Sequence, residues 1–470
     1  MNIKHTIEVF TENTPGMLYR ITGLFLKRKI NIESLTVSET ENKGTSHFII
    51  TINETHETVQ KVLKQLDRII EVTKTALVEN KPLEVSRATQ ALQASAIKQM
   101  QLLASKDANS ITLAQGIPSF PTADIIKAAA IEAIKKNETD KYTSGYGIDV
   151  LRKAIVEKVK RDNNIDVEIE NVMVTHGGIE ALMATFLTLL NPEDEIIVLT
   201  PDYASHITQT KIALHGAKPI CVPLKETKEG WVLEPEKIEE KITQNTKALL
   251  FCNPCNPTGK VYTQEELQQI ANIALKHDIY IITDEIYEYF TFDNRKHISI
   301  GSFTEISDRV ISIFGVSKSY CMTGWRIGYI VAPKKLIPEI FKIHDSLVTC
   351  PTAVSQYAAL EAITGDQSMV REYKEAFEKR RDIVIKAIEK SHKLHLTIPQ
   401  GAYYAFVKVL TPIDDYTFAM KLLEEAKVAV IPGSAFGSGG ENHLRISFGG
   451  DEPKLKEGLE RFVKYIEEKV

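Results

Sequence analysis

The segment GVSKSYCMTGWRIG, residues 315–328, sets Lys318 and Arg326 eight positions apart among small residues, with no acid between them. A solvated helix face would interleave acids with such cations. Two cations without a local counter-charge point to something anionic or electrophilic held between them. Other residues with chemical reach follow short apolar runs along the chain. Gly177 and Gly178 follow VMVT, Asp202 and Tyr203 follow EIIVLTP, and Asn253 and Asn256 follow ALLF. Asp284 and Tyr287 follow IIT, and Lys318 follows ISIFGVS. Each has a plain structural explanation when taken singly. Together they set an acid, an amide, a phenol, a lysine and an arginine around one edge.

That set suits pyridoxal 5'-phosphate. Its aldehyde needs a lysine amine to condense with. Its ring nitrogen needs a carboxylate partner to stay protonated, so that the ring can accept carbanion electrons. Its phenolic oxygen needs donors, and its phosphate needs backbone N–H groups and a fixed cation. The C-x-x-C of Cys252 and Cys255 lacks a second ligand pair and reads as two small residues in a tight turn, so no metal is expected.

The elements that must position these groups are also legible. The runs EIIVLTP (195–201), KALLFCNP (247–254), YIITDE (280–285) and RVISIFG (309–315) each end in a polar or turn-forming group. This is the pattern of a parallel sheet buried on both faces, whose ligands gather at the carboxyl ends of the strands. HGGIEALMATF (176–186) predicts a glycine-led helix with a free N-terminus, where a phosphate can sit.

Residues 1–80 have a different texture. Alternation predicts strands over 5–10, 31–39 and 45–53, with Asn42, Lys43 and Gly44 as the turn between the last two. A helix opening at Pro15 sets Leu18, Ile21, Leu24 and Phe25 on one side. A second helix over 55–67 does so with Val59, Val62, Leu63 and Leu66, and Ile70, Val72, Ala76 and Val78 mark a last strand. The order βαββαβ predicts a ferredoxin-like sandwich.

Bulk properties narrow the function classes. The net charge of -5 leaves no basic footprint for nucleic acid or an anionic membrane. No signal pattern opens the sequence and no apolar run is long enough to span a bilayer. Five cysteines in 470 residues do not form a disulfide framework, which fits a reducing cytoplasm.

Two resemblances follow from longer phrases. ENTPGML (12–18) and FLKRKINIESLTV (25–37) resemble the ACT domain of the regulatory small subunit of acetolactate synthase. The resemblance implies that Asn13, Gly16 and Asn31 bind a regulatory branched-chain amino acid between paired domains. From about residue 85 onward the chain is similar to a class I, fold-type I aminotransferase of the aspartate/aromatic subgroup. The phrases are LAQGIPSFPT (113–122), KYTSGYGIDVLRKAI (141–155), VTHGGIEAL (174–182), NPCNPTG (253–259), DEIY (284–287), SKSYCMTGWRIGY (317–329), VIPGSAFG (430–437) and HLRISF (443–448).

This second resemblance implies a role for each matching residue. Lys318 would hold the cofactor through its amine and shuttle a proton. Asp284 would pair with the ring nitrogen, and Asn256 and Tyr287 would donate to the ring oxygen. Tyr203 would stack on the ring. Gly178 and Ile179 would offer backbone amides to the phosphate, Arg326 its charge, and Tyr142 would reach it from the other subunit of a homodimer. Arg445 would grip the substrate α-carboxylate in a bidentate fork, Gly116 letting the backbone approach. Two departures stand out. Some relatives carry serine or threonine where Gly177 and Ile179 stand, and residues 345–357 hold no arginine for a second substrate carboxylate.

The expected layout is an ACT domain over 1–80, a linker and N-terminal segment over 81–110, and an aminotransferase over 111–470. Within it a large domain spans about 125–345, and a small domain spans about 346–470 together with the N-terminal segment. The expected activity is amino-group exchange between an L-amino acid and a 2-oxo acid, tuned by amino-acid binding to the ACT domain. A β-eliminating C–S lyase on the same cofactor and a regulatory adaptor of acetolactate synthase are the alternatives.

Overall fold

The computed structural model describes residues 3–40, 42–78, 85–90, 92, 96–215 and 219–470. The chain divides into two compact units, Met1–Ser86 and Arg87–Val470.

The first unit is a four-stranded antiparallel sheet in the spatial order Ile32–Glu39, Thr45–Glu54, Ile3–Glu12, Val72–Val78. Helices Met17–Lys27 and His56–Leu66 complete the βαββαβ order. Alternation along the central strands buries Ile7, Val9, Phe48, Ile50 and Ile52, and these meet Met17, Ile21 and Phe25 of one helix and Val59, Val62 and Leu66 of the other. Thr55 caps the second helix by accepting the Thr58 N–H. Two expected core positions are corrected. Leu18 is 50% exposed, because the helix turns Met17 inward instead. Ile70 is 92% exposed, because it lies in the turn that precedes the last strand.

The second unit is built on a seven-stranded sheet in the order Val172–Thr175, Gly328–Val331, Val310–Gly315, Tyr280–Asp284, Thr246–Cys252, Glu195–Thr200, Ile220–Pro223. Only Gly328–Val331 runs antiparallel to its neighbours. Apart from half-buried Glu195 and exposed Lys247 near the strand starts, the strands Glu195–Thr200, Thr246–Cys252 and Val310–Gly315 are buried, as their apolar runs require. A second, antiparallel sheet orders Leu394–Leu396, Tyr404–Val409, His443–Ser447 and Ile431–Pro432. The N-terminal strip Ile111–Thr112 pairs with Val428–Ala429 beside it. The strip runs on past Gly116 and is tied to this smaller sheet by Ser447 N–H on Leu113 O and Ser119 N–H on Gly449 O.

Candidate active site

The carboxyl ends of the parallel strands deliver the chemistry. Strand Tyr280–Asp284 ends on Asp284 itself. Strand Val310–Gly315 stops three residues before Lys318, strand Glu195–Thr200 three before Tyr203, and strand Thr246–Cys252 four before Asn256. Strand Val172–Thr175 turns through Gly177, at φ +79°, into helix Gly178–Leu189. From the smaller sheet, strand His443–Ser447 contributes Arg445. All of these but Gly177 line one cavity of about 210 Å³, together with Gly116, Ile179, Tyr287 and Arg326.

The Lys318 Nζ donates to the Gly116 carbonyl at 2.7 Å, which also accepts from the Tyr403 hydroxyl at 3.0 Å. Burial and the neighbouring cations Arg445 and Arg326 lower the Lys318 pKa to about 8, against the opposing pull of Asp284. Asp284 accepts from His206 Nε2 at 3.1 Å and from the Ile286 N–H at 3.1 Å. The other imidazole nitrogen lies 2.8 Å from Asp202. Burial alone would depress His206, but Asp202 and then Asp284 outweigh it and raise the imidazole to about 10. His206 is therefore a buried imidazolium donating to both carboxylates.

The Tyr287 and Tyr404 hydroxyls are 2.8 Å apart, and burial holds the Tyr287 phenol well above its usual range, hence protonated. Arg445 donates to Asn256 Oδ1 at 3.0 Å and to the Ala114 carbonyl at 2.6 Å, with its guanidinium 4.5 Å over the Tyr404 ring. This commits the Asn256 oxygen and leaves its NH2 as the donor. Arg445 Nε is buried with no hydrogen-bond partner among the described residues.

Arg326 donates to the Thr323 carbonyl at 2.9 Å and lies against the Gly177 turn, where a Cβ would stand 2.5 Å from its Nη2. Any side chain at Gly177 would therefore push the guanidinium away. The N–H groups of Gly178 and Ile179 open the helix and have no intrahelical acceptor. A cation and the positive end of a helix dipole thus face the same point.

Not every expected residue is gathered. Tyr142 is 86% exposed and is not among the lining residues. Asn13, Gly16 and Asn31 lie exposed in the first unit. There Gly16 heads the first helix at φ +91°, and Asn13 gives its backbone N–H to Gly44 O. That helix has no side-chain cap, so Asn13 does not serve as one. Cys252 and Cys255 are buried free thiols, whose pKa values burial raises.

Sequence reasoning missed His206, Tyr403, Tyr404 and Ile97, although all but Tyr403 line the cavity or touch Asp284. The spacing of Asp202 and His206 is that of helix neighbours and was available. No local signal could tie His206 to an aspartate 78 residues away.

The residues fit pyridoxal phosphate. They supply a desolvated amine of reduced basicity, a carboxylate backed by an imidazolium, neutral phenol donors and a cation beside free N–H groups. A fold of this topology with this cavity is that of a fold-type I pyridoxal-phosphate-dependent transferase. The family described as Aminotransferase class I and II matches residues 108–462, and an AHAS small subunit-like ACT domain matches residues 7–74. The chain belongs to the class I and II aminotransferases, whose cofactor is pyridoxal phosphate, and carries an ACT domain in front.

It is 38% identical over 373 residues to a probable aspartate/prephenate aminotransferase of Aquifex aeolicus, covering 78% of this chain and 93% of that one. It is 38% identical to a probable N-acetyl-LL-diaminopimelate aminotransferase of Bacillus subtilis, covering 80% and 94%. The solved alanine aminotransferase from Pyrococcus furiosus superposes with TM-score 0.76 at 35% identity, covering 82% of this chain and 100% of that one.

Proposed function

We propose that the cavity exchanges an amino group between an L-amino acid and a 2-oxo acid, with glutamate and 2-oxoglutarate as one pair. The observation that carries this is a single cavity holding the half-buried Lys318, the buried carboxylate of Asp284 and two arginines. When bound, the cofactor supplies an electron sink for the bonds at the substrate Cα. The protein does the rest. Lys318, with its lowered pKa, takes the proton from Cα as a base and returns it as an acid. Asp284, held in place by His206, would pair with the ring nitrogen. Asn256 and Tyr287 would donate to the ring oxygen, and Tyr203 would bear on the ring face. Gly178 and Ile179 N–H groups and Arg326 would hold the phosphate. Arg445 takes the α-carboxylate beside Gly116. Tyr142, exposed in a single chain, reaches the phosphate of the other protomer in a homodimer.

A panel of amino donors against several 2-oxo acids tests the reading. Release of ammonia and pyruvate with no acceptor acid would overturn it in favour of elimination. Arg445→Lys keeps the charge but loses the planar fork, so kcat/KM for any donor falls about 100-fold, mostly through KM. An effect confined to kcat would count against the assignment. Because the neutral amine is the nucleophile, the apoprotein's Lys318 captures the cofactor at a rate that rises with pH and levels off above about 8, not near the ordinary 10.5. A plateau near the latter value would show an amine in ordinary surroundings.

The ACT domain is proposed to bind a branched-chain amino acid through Asn13, Gly16 and Asn31 and to shift activity roughly 5- to 150-fold at saturation. Titrating the full-length enzyme with valine, leucine and isoleucine, followed by rate and by calorimetry, measures it. Neither heat nor a change in rate would remove the regulatory half. Loss of the response in Asn31→Ala is the expected control.

A further inference from the structure

Asp284 and Tyr287 line the cavity, but the two acids beside them do not. Glu285 and Glu288 are buried behind the same turn. Two carboxylates taken out of water need partners, and distant parts of the chain supply them. Lys158 and Asn163 lie on helix Asp149–Asn163, and both side chains are buried. The Lys158 ammonium has one acceptor for each of its protons, Asn163 Oδ1 at 2.8 Å and the two Glu288 oxygens at 2.5 Å each. The Asn163 NH2 donates to Glu288 Oε2 at 2.7 Å and to Ser299 Oγ at 2.9 Å. The Ser299 hydroxyl donates to Glu285, which also lies 2.7 Å from His297 Nε2. One chain of donors thus runs from Lys158 through Asn163 and Ser299 to Glu285, with Glu288 held at its start.

Well-packed hydrocarbon of the same volume serves stability as well as a buried ion pair does. Stability alone therefore does not call for this circuit. Its anchors grip the turn on both flanks of Tyr287 and directly beside Asp284, so the turn cannot tilt without breaking directed bonds behind it. The far end of the circuit is fixed independently. Arg152 of the same helix donates to the Ile169 carbonyl at 2.7 Å and to the Val172 carbonyl at 3.1 Å, where the strand leading to the Gly177 turn begins. The Lys158 ammonium also lies 4.8 Å over the Phe314 ring, on the strand that leads to Lys318. One helix thus braces the strands that lead to the phosphate turn and to the amine, and holds the turn that carries Asp284 and Tyr287.

We propose that Lys158, Asn163, Ser299, Glu285 and Glu288 are positioning residues that act through the 284–288 turn to set Asp284 and Tyr287 against the cofactor ring. The assignment rests on the reading of Asp284 and Tyr287 as the partners of that ring. Damage to the circuit therefore shows in kcat and in binding of the ring. The phosphate site at Arg326 and the carboxylate grip at Arg445 stay as they are.

The test uses two variants of the full chain. Lys158→Met combined with Glu288→Gln removes both charges and keeps most of the volume. Ser299→Ala cuts the link from Asn163 to Glu285 and leaves the ion pair intact. In the double variant kcat is expected to fall about 100-fold, as a misplaced reacting group costs, with KM for the donor unchanged. The calorimetric Kd of its apoprotein for pyridoxal phosphate is expected to rise about 10-fold, while that for inorganic phosphate stays at the wild-type value. Ser299→Ala shows the same pattern with kcat lowered about 10-fold, and it alone decides the matter if the double variant does not fold. Wild-type kcat and Kd in a folded variant overturn the proposal. So does an equal weakening of pyridoxal phosphate and inorganic phosphate, since that is the mark of a merely structural role. Asp284→Ala separates the two readings. If it leaves the Kd for pyridoxal phosphate unchanged, the ring-partner reading is wrong and the positioning falls with it. If it weakens that Kd while the circuit variants do not, the ring-partner reading stands and only the positioning falls.

Discussion

Lys318→Ala lowers kcat for amino-group exchange by about 10,000-fold, the upper end for removal of a positioned acid–base group. The loss is one of chemistry and not of folding. The hydrogen bond given up runs to the Gly116 carbonyl, which still accepts from Tyr403. Circular dichroism and thermal unfolding of the variant should match the wild type within a few degrees. A small amine added to the buffer is expected to restore part of the rate, since it can enter the cavity the side chain vacates. More than about one hundredth of the wild-type rate in the unrescued variant would place the proton transfer on another group.

Asp284→Ala is expected to cut kcat/KM by about 1,000-fold, as removal of a preorganised charge opposite the reacting group does. Its geometry argues for an electrostatic role with little mechanical component. The carboxylate accepts from both His206 and the Ile286 N–H, so each oxygen already faces a donor on the protein side. Asp284→Asn keeps the shape, but its NH2 must then face one of those donors. It should therefore be nearly as damaged as the alanine variant. His206→Gln leaves the carboxylate in place and loses only its support, so its defect should be smaller. The ordering Ala, Asn, then Gln at position 206, from most to least damaged, is what steady-state kinetics would check. Equal defects in all three would mean that the imidazole itself touches the cofactor.

Much of this site could be read from residue order because a parallel sheet is a simple device. Each buried strand is a largely apolar run, and its carboxyl end must meet the ligand, so Asp284, Tyr203, Asn256 and Lys318 announce themselves by following IIT, VLTP, ALLF and ISIFG. Arg445 lies on an antiparallel strand of the smaller sheet, where nothing local marks it, and the HLRISF phrase supplied it through resemblance. The Asp202–His206 spacing was legible, but the reach of His206 to Asp284 was hidden because tertiary packing sets it. Ile97 was hidden because an isoleucine on an amphipathic helix reads as core. In the first unit, the helical period correctly placed Ile21 and Phe25. It misplaced Leu18 by a fraction of a turn, since two neighbouring positions compete for one narrow stripe.

The Gly116 carbonyl has a consequence beyond its hydrogen bonds. It receives the Lys318 ammonium and the Tyr403 hydroxyl at once, and it belongs to the strip that also meets Arg445 through Ala114. Any aldehyde that claims the amine withdraws one of those two anchors. Loading the protein would leave the Tyr403 hydroxyl as the remaining donor to that carbonyl, so arrival of the cofactor would loosen one of the two ties at the place where the incoming carboxylate is to land.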